Sequence, residues 1–246
     1  MLETSSTYKQ LIAGEHYFDT MVIIGGVEYQ KGDLRQVTLS EATFPNGVPE
    51  VGGAVSKQLT VKLNLTDAEI PRMAEVVPYY RVVKTNEPGT HSEWIKLGTF
   101  WLDYRETKQA AGIMVLECYD AMVKAEAAYT SALSFPASAK DVYSEICDNL
   151  GCNKDEATWN MLNATPYSIS KPGTGAAALS MRSVLQYIAA SYVGSFVITA
   201  DDKLRLITIG NDALPEETFY LLTELNAAIE IGGYIYGTNG YLYEVT

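Results

Sequence analysis

The sequence predicts an α+β fold, mainly β: an antiparallel β-barrel-like domain with an inserted α/β domain. Three observations carry this. Short runs of alternating apolar and polar residues, punctuated by Gly and Pro, fill the N-terminal half. Beyond Asp120 the apolar spacing changes from two to about 3.6 residues. Between the two lies GTFWLDYRETKQAAGIMVLECYD, residues 98–120, which reads as a hairpin delivered straight into a new helical unit.

Residues 1–18 are an approach segment with helical character at 8–13. Strands follow at residues 19–24 and 27–30, joined through Gly25-Gly26, and at 35–44. Pro45-Asn46-Gly47-Val48-Pro49 and Gly52-Gly53 make a loop that stops at Val55. Leu59, Val61, Leu63 and Leu65 then alternate with Gln58, Thr60, Lys62 and Asn64, the mark of a strand with one dry face and one wet face. Thr66-Asp67-Ala68-Glu69 starts a short helix that Pro71 stops. Residues 76–84 and 93–104 complete an antiparallel set, with Glu87-Pro88-Gly89 as the turn. In the hairpin, Phe100, Leu102 and Tyr104 alternate with Trp101, Asp103 and Arg105, and a polar link ending in Gly112 leads to the apolar run 113–116.

Residues 121–129 are Ala-rich and helical. Residues 138–150 form a second helix, with Ser138 as cap, Asp141 in the first turn, Gly151 as stop and Val142, Ile146 and Leu150 as its apolar stripe. Residues 160–178, rich in Ser, Pro and Gly, read as a loop. Ser180 caps a helix in which Val184, Leu185 and Ile188 share a face. After Gly194, strands at 196–199 and 204–209 flank a turn at Asp201-Asp202. A type I′ turn needs two positive φ angles, which Asp tolerates less well than Gly, so a wider turn is expected. Residues 219–222 and 229–231 return to strand character, and Gly237-Thr238-Asn239-Gly240 joins 234–236 to 241–245 as a hairpin. Tyr234, Tyr236, Tyr241 and Tyr243 crowd that hairpin, which needs a sheet or a subunit to cover it; they are candidate subunit-interface residues.

Bulk properties narrow the function. With 246 residues and 47% apolar content the chain can bury one large core or two modest ones. Its longest apolar runs, such as 21–24 and 114–116, are too short to cross a bilayer, and no membrane insertion is expected. No secretory signal is visible, so assembly in a cytosol is expected. The net charge is −12, and residues 211–246 hold six acidic and no basic side chains. Such a surface repels phosphate, which argues against gripping DNA and fits either solubility or the wall of a tube through which DNA slides without sticking.

No catalytic constellation is visible. HExxH and Gly-x-Ser-x-Gly are missing, and with only His16 and His91 a zinc site lacks ligands, so no catalytic residue, metal or cofactor is expected. Lys171-Pro172-Gly173-Thr174-Gly175 is only faintly like a phosphate cradle. The adjacent acids Asp201/Asp202, Glu216/Glu217 and Asp155/Glu156 point apart in turns or helix starts and read as structural. Cys118, Cys147 and Cys152 read as buried thiols, although 147 and 152 straddle a helix end and can touch.

The order Gly-x-Phe, alternating strand, turn, apolar strand, Tyr119-Asp120-Ala121-Met122 resembles the N-terminal part of bacteriophage tail hub proteins, including the tail-associated, endopeptidase-tail-like proteins of siphophages. Arg182-Ser183-Val184-Leu185-Gln186-Tyr187-Ile188-Ala189, then Gly194-Ser195-Phe196 and Asp201-Asp202-Lys203-Leu204-Arg205, is similar to a second signature of those hubs, with Asp202 where Gly is common. The resemblance lies chiefly in residues 93–129 and 138–209. It implies a tail-tube β-barrel domain at 1–118, an inserted helix-strand domain at 119–210, and return strands at 211–246 that pack on the first domain or start an incomplete second barrel.

The function this implies is a non-catalytic phage or prophage virion structural protein, a tail hub or baseplate component joining the tail tube to the distal tip. Self-association as a ring, with a trimer typical, and contact with other tail tube and tail tip proteins are implied, with DNA only passing through the lumen. A tail-like bacteriocin or injection machine would use the same part. The competing readings are a host cell-wall carbohydrate-binding module, using exposed Tyr with Trp94, Trp101 and Trp159, and a peptidoglycan-degrading tail enzyme.

Overall fold

Leu59, Val61 and Leu63 are fully buried while Gln58, Thr60 and Lys62 stay partly exposed, so the period-two pattern becomes one strand of a half-wet sheet. The computed structural model describes residues 4–44, 50–170, 178–209, 230–231, 234–236 and 242–244. In chain order the first elements are α1 (Ser6–Ile12), β1 (His16–Ile24), β2 (Val27–Tyr29), β3 (Leu34–Ser40), β4 (Gly53–Ala54), β5 (Gln58–Leu63) and β6 (Glu75–Lys84). They continue with β7 (Glu87–His91), β8 (Ile95–Lys96), β9 (Phe100–Lys108), β10 (Ile113–Tyr119), a 3-10 helix at Ala121–Glu126, β11 (Ala137–Ser138) and α2 (Ala139–Leu150). Then come β12 (Asn153–Lys154), α3 (Glu156–Ala164), β13 (Ser168–Ile169), α4 (Met181–Ser191), β14 (Gly194–Ile198) and β15 (Lys203–Thr208). The last three are β16 (Glu230–Ile231), β17 (Tyr234–Tyr236) and β18 (Leu242–Glu244).

The fold is α+β, mainly β, with antiparallel sheets dominant. The large sheet runs β2-β1-β6-β9-β10-β5-β3, with β7 and β8 also on β6, and its pairings are antiparallel. Among the described residues it does not close: β2 and β3 are its two ends. The expected barrel is therefore an open sheet here. One reason is that β4 pairs with β14 in another sheet instead of extending this one. That second sheet, β12-β15-β14-β4, is mixed, with an antiparallel β14–β15 hairpin flanked by parallel β12 and β4.

Two cores result within Met1–Ile209. One fills the large sheet around Val22, Leu59, Val61, Val76, Phe100 and Leu116. The other packs α2 and α4 on the second sheet around Tyr143, Ile146, Leu150, Leu185, Phe196 and Leu204, and it includes Ala54 from β4. Each core has a Gly-x-Phe at its centre, since Phe100 and Phe196 are fully buried. Gly194 explains the motif physically: a Cβ there would lie 2.5 Å from the Ile207 carbonyl oxygen.

Four local expectations need correction. Residues 66–69 are not helical, because the Asp67 carboxylate turns back onto the Thr66 N–H and hydroxyl, at 3.3 and 3.1 Å, instead of capping forward. The turn after β6 is at Thr85-Asn86, and Glu87-Pro88-Gly89 is part of β7, an exposed strand where Pro is tolerated. Residues 121–129 hold only the 3-10 helix, because Ala127 is extended and Tyr129 N–H bonds to Leu179 O at 2.8 Å. Part of the expected 160–178 loop is α3 and β13; Asp155 caps α3, and Leu162 anchors it in the core.

The helices at Ala139–Leu150 and Met181–Ser191 have the expected caps, Ser138 accepting from Asp141 N and Ser180 from Ser183 N, with Gly151 left-handed at φ 69°. The β14–β15 turn is wider than two residues, as expected: Ile198 pairs with Leu204, Asp202 N–H bonds to Thr199 O at 3.1 Å, and Asp202 itself sits at φ 58°.

Gly210–Thr246 forms a separate unit. Its described part is a three-stranded antiparallel sheet, β16-β17-β18, in which Tyr234 stands opposite Glu244, Ile235 opposite Tyr243 and Tyr236 opposite Leu242. The expected strand at 219–222 lies outside the described residues.

Candidate functional site

The residues that stand out in the sequence lie at a joint where the large sheet meets the second sheet and its helices. Asp120 follows β10 directly and is buried. Its Oδ1 accepts from the Ser56 hydroxyl at 2.7 Å and Met122 N–H at 3.0 Å, and its Oδ2 accepts from Lys57 N–H at 2.9 Å. Burial pushes its carboxyl above the usual value although those three donors pull it down. The Tyr-Asp step thus ends one sheet and caps the next helix with a single side chain.

Arg182, on the first turn of α4, forks across the same joint. Nη1 donates to Ala54 O at 2.5 Å, Nη2 to Met122 O at 3.0 Å, and Nε lies 2.6 Å from Glu126 Oε1. Gly52 adds a close approach, since a Cβ on it would lie 3.2 Å from Ala190 Cβ and Gln186 O.

Asp202 forms the third clasp. Its carboxylate accepts from Thr99 N–H at 3.0 Å, the Thr99 hydroxyl at 2.9 Å and Lys96 Nζ at 2.5 Å. The signature position that departs from Gly therefore has work that Gly cannot do. Its neighbour Asp201 turns the other way, to the Thr199 hydroxyl at 2.6 Å and Lys203 Nζ at 2.5 Å, which hold its carboxyl down at about 2. Behind the joint, Asp155 caps α3 and takes Nε and Nη2 of Arg205 at 3.0 and 2.8 Å. Burial raises its carboxyl, but Arg205 and the Thr158 donors outweigh that and hold it below the ordinary value. Asp201 and Asp202 thus turn to different partners, and Asp155 is engaged by Arg205 and Thr158; Glu216/Glu217 and Lys171–Gly175 lie outside the described residues.

Each tryptophan has a cation over its ring: Arg81 lies 4.3 Å from the Trp94 centroid, Lys124 3.5 Å from Trp101 and Lys140 4.9 Å from Trp159. All three rings are half-buried. A sugar stacking on those covered faces would first have to displace the cation.

Among the described residues no three His, Cys, Asp or Glu are grouped to hold a metal ion, and no helix is long and apolar enough to cross a membrane. The described residues include two notable concavities. One, of about 410 Å³, lies against α4 and is lined by Tyr167, Leu179, Val184, Tyr187, Ile188 and Tyr192; the other, of about 270 Å³, is bounded by Ile70, Met73, Asp103 and Arg105. Of the four tyrosines expected at a subunit interface, Tyr234, Tyr236 and Tyr243 fall in the small C-terminal sheet, and Tyr241 lies outside the described residues. An aromatic group that the sequence reading missed joins α1, β1 and β6: Tyr8, Phe18 and Tyr80 meet edge to face, with Phe18 53% exposed. No local signal marks it, because Tyr80 lies 72 residues from Tyr8.

In fold the chain is similar to two tail proteins. One is the 43 kDa tail protein of prophage MuSo2 from Shewanella oneidensis, at TM-score 0.48 and 10% identity, covering 84% of this chain and 57% of that one. The other is a tail protein from Neisseria meningitidis MC58, at TM-score 0.45 and 11% identity, covering 86% of this chain and 54% of that one. The chain thus spans little more than half the length of either. No protein-family model matches it, and no curated protein matches it.

Proposed function

We propose that this protein is a structural component of a phage or prophage tail, a hub or baseplate part that joins the tail tube to the distal tip and works without chemistry of its own. The observation that carries this reading is that the residues of the hub-like signatures are the residues of the joint: Asp120 after the β9–β10 hairpin, Arg182 on α4, Gly194 before Phe196, and Asp202 in the turn. The side chains of Asp120, Arg182 and Asp202 are spent on fixed protein groups, Ser56 and Lys57, Ala54 and Met122, and Thr99 and Lys96 in turn, which suits a part that transmits force and holds shape. Self-association as a ring, with tyrosines at the contacts and an acidic surface that does not hold DNA, completes the proposal.

The test is to purify tail particles from a producing strain and quantify the chain by mass spectrometry. A fixed small number of copies per particle, located at the tube end by labelled electron microscopy, is expected. Absence from particles, together with release of fragments from purified cell wall by the isolated protein, would overturn it.

A further inference from the structure

Cys147 and Cys152 are brought together by the way α2 ends. Gly151 is left-handed, its N–H bonds to Asp148 O at 3.3 Å, and the Cys152 N–H bonds to Cys147 O at 3.0 Å. This pair of bonds is a Schellman ending, which lays the side chain after the glycine against the one four residues before it. In most helices that contact joins two apolar groups. Here both are thiols, both are free, and Cys152 Sγ lies 3.7 Å from the Cys147 carbonyl oxygen.

We propose that Cys147 and Cys152 are an oxidisable dithiol that closes to an intrachain disulfide by exchange with a small disulfide such as oxidised glutathione. Cys152 is the partly exposed member and reacts first; Cys147 is fully buried and resolves. The Cys152 thiolate attacks one sulfur of oxidised glutathione, the glutathione S–S bond breaks, and one glutathione leaves as thiolate and takes up a proton. Cys147 then gives up its proton, attacks Cys152 Sγ and expels the second glutathione. Two protein thiols are oxidised and one external disulfide is reduced to two thiols.

The surroundings favour that order. A hydrogen bond from the Cys147 thiol to the Cys152 sulfur holds Cys152 below its usual value, helped by the Lys124 ammonium, which lies 3.4 Å from Leu150 O at the same helix end. The same hydrogen bond, with burial, pushes Cys147 up, so capping Cys152 removes the first obstacle to its attack. The closed bridge would fix the corner that leads into β12, where Asn153 N–H bonds to Asp202 O at 2.8 Å.

The experiment is incubation of the full chain with excess oxidised glutathione, followed by intact mass and peptide mapping. The expected product has lost two hydrogens, carries no glutathionyl group and yields a 147–152 cross-link. Cys118, buried and pushed up to about 12, stays free as an internal control. Cys147→Ser should stop at a glutathionylated Cys152, Cys152→Ser should leave Cys147 unmodified, and Lys124→Gln should slow the first step severalfold. A wild-type protein that remains a glutathione adduct, or keeps both thiols under saturating oxidant, overturns the proposal whether or not the variants fold.

Discussion

The Asp202 carboxylate holds Thr99 by two hydrogen bonds, from its N–H at 3.0 Å and its hydroxyl at 2.9 Å, across 103 residues of sequence. To do so Asp202 accepts a left-handed backbone at φ 58°, a conformation Gly would adopt more easily. The clasp and the strain oppose each other. Hydrogen bonds to a charged group contribute about 1.5–3 kcal/mol, more than an Asp at positive φ costs, whereas the half-exposed Lys96 pair adds little. Asp202→Gly should therefore lower the unfolding free energy by about 1–2 kcal/mol in urea titration. Thr99→Val added to that variant should cost almost nothing more, because the partner is already gone.

Asp155 gives the chain a defined acid sensitivity. Its carboxyl is buried and held below the ordinary value by Arg205 and Thr158, so the folded state binds its proton less readily than the unfolded state. Stability from this group is complete above the unfolded-state value near pH 4 and is lost as pH falls through the lower folded-state value. Asp120 acts in the opposite sense: burial raises its carboxyl, so its ionisation subtracts stability as pH rises from the ordinary value to the folded one. Arg205→Met should destabilise the protein by about 2–3 kcal/mol at neutral pH. It should also flatten the acid limb of a stability–pH curve, and an unchanged limb would assign that sensitivity elsewhere.

Val193 and Gly194 predict opposite outcomes for neighbouring residues. Val193 sits at φ 53°, an outlier for a β-branched side chain, and is 49% exposed. Val193→Gly should raise thermal stability by about 1 kcal/mol. Gly194→Ala places a Cβ 2.5 Å from the Ile207 carbonyl and should cost about 2–4 kcal/mol, because the contact is with backbone inside a fully buried strand.

Ser195 is fully buried in β14, and its hydroxyl has no hydrogen-bond partner among the described residues. Removing an unsatisfied polar atom while keeping the packing small should be neutral or gain up to about 1 kcal/mol, so Ser195→Ala should melt no lower than the parent. A clear loss would mean that the hydroxyl has a partner.

What the sequence made legible follows from how local each signal is. Ser138, Gly151 and Ser180 act within their own turns, so both long helices and their caps could be read directly. The β9–β10 hairpin was equally readable, because its alternation and Gly112 lie within a single stretch of chain. Two features were not legible. Gly53–Ala54 belongs to the second sheet through pairing with Ser195 and Phe196, a partnership more than a hundred residues away with no local mark. That the first sheet stays open among the described residues likewise depends on which strand ends meet. At the joint, Asp202 was legible as a departure from Gly, but its partner Thr99 became visible only in three dimensions.

Arg182 offers the most discriminating test of the joint. Its two terminal nitrogens hold the backbone oxygens of Ala54, on β4, and Met122, in the 3-10 helix after Asp120. A planar fork can satisfy both at once; a lysine ammonium at the end of a flexible stem loses that fixed geometry. Its ion pair with Glu126 is a weaker contributor, since the glutamate is 63% exposed. Arg182→Lys, which keeps the charge, should therefore cost about 1.5–3 kcal/mol, while Glu126→Gln, which removes the ion pair but leaves the fork, should stay within about 0.5 kcal/mol. If both variants unfold at the parent's urea midpoint, the fork does not hold β4 against α4; if Glu126→Gln alone is damaging, charge pairing and not backbone recognition secures that edge.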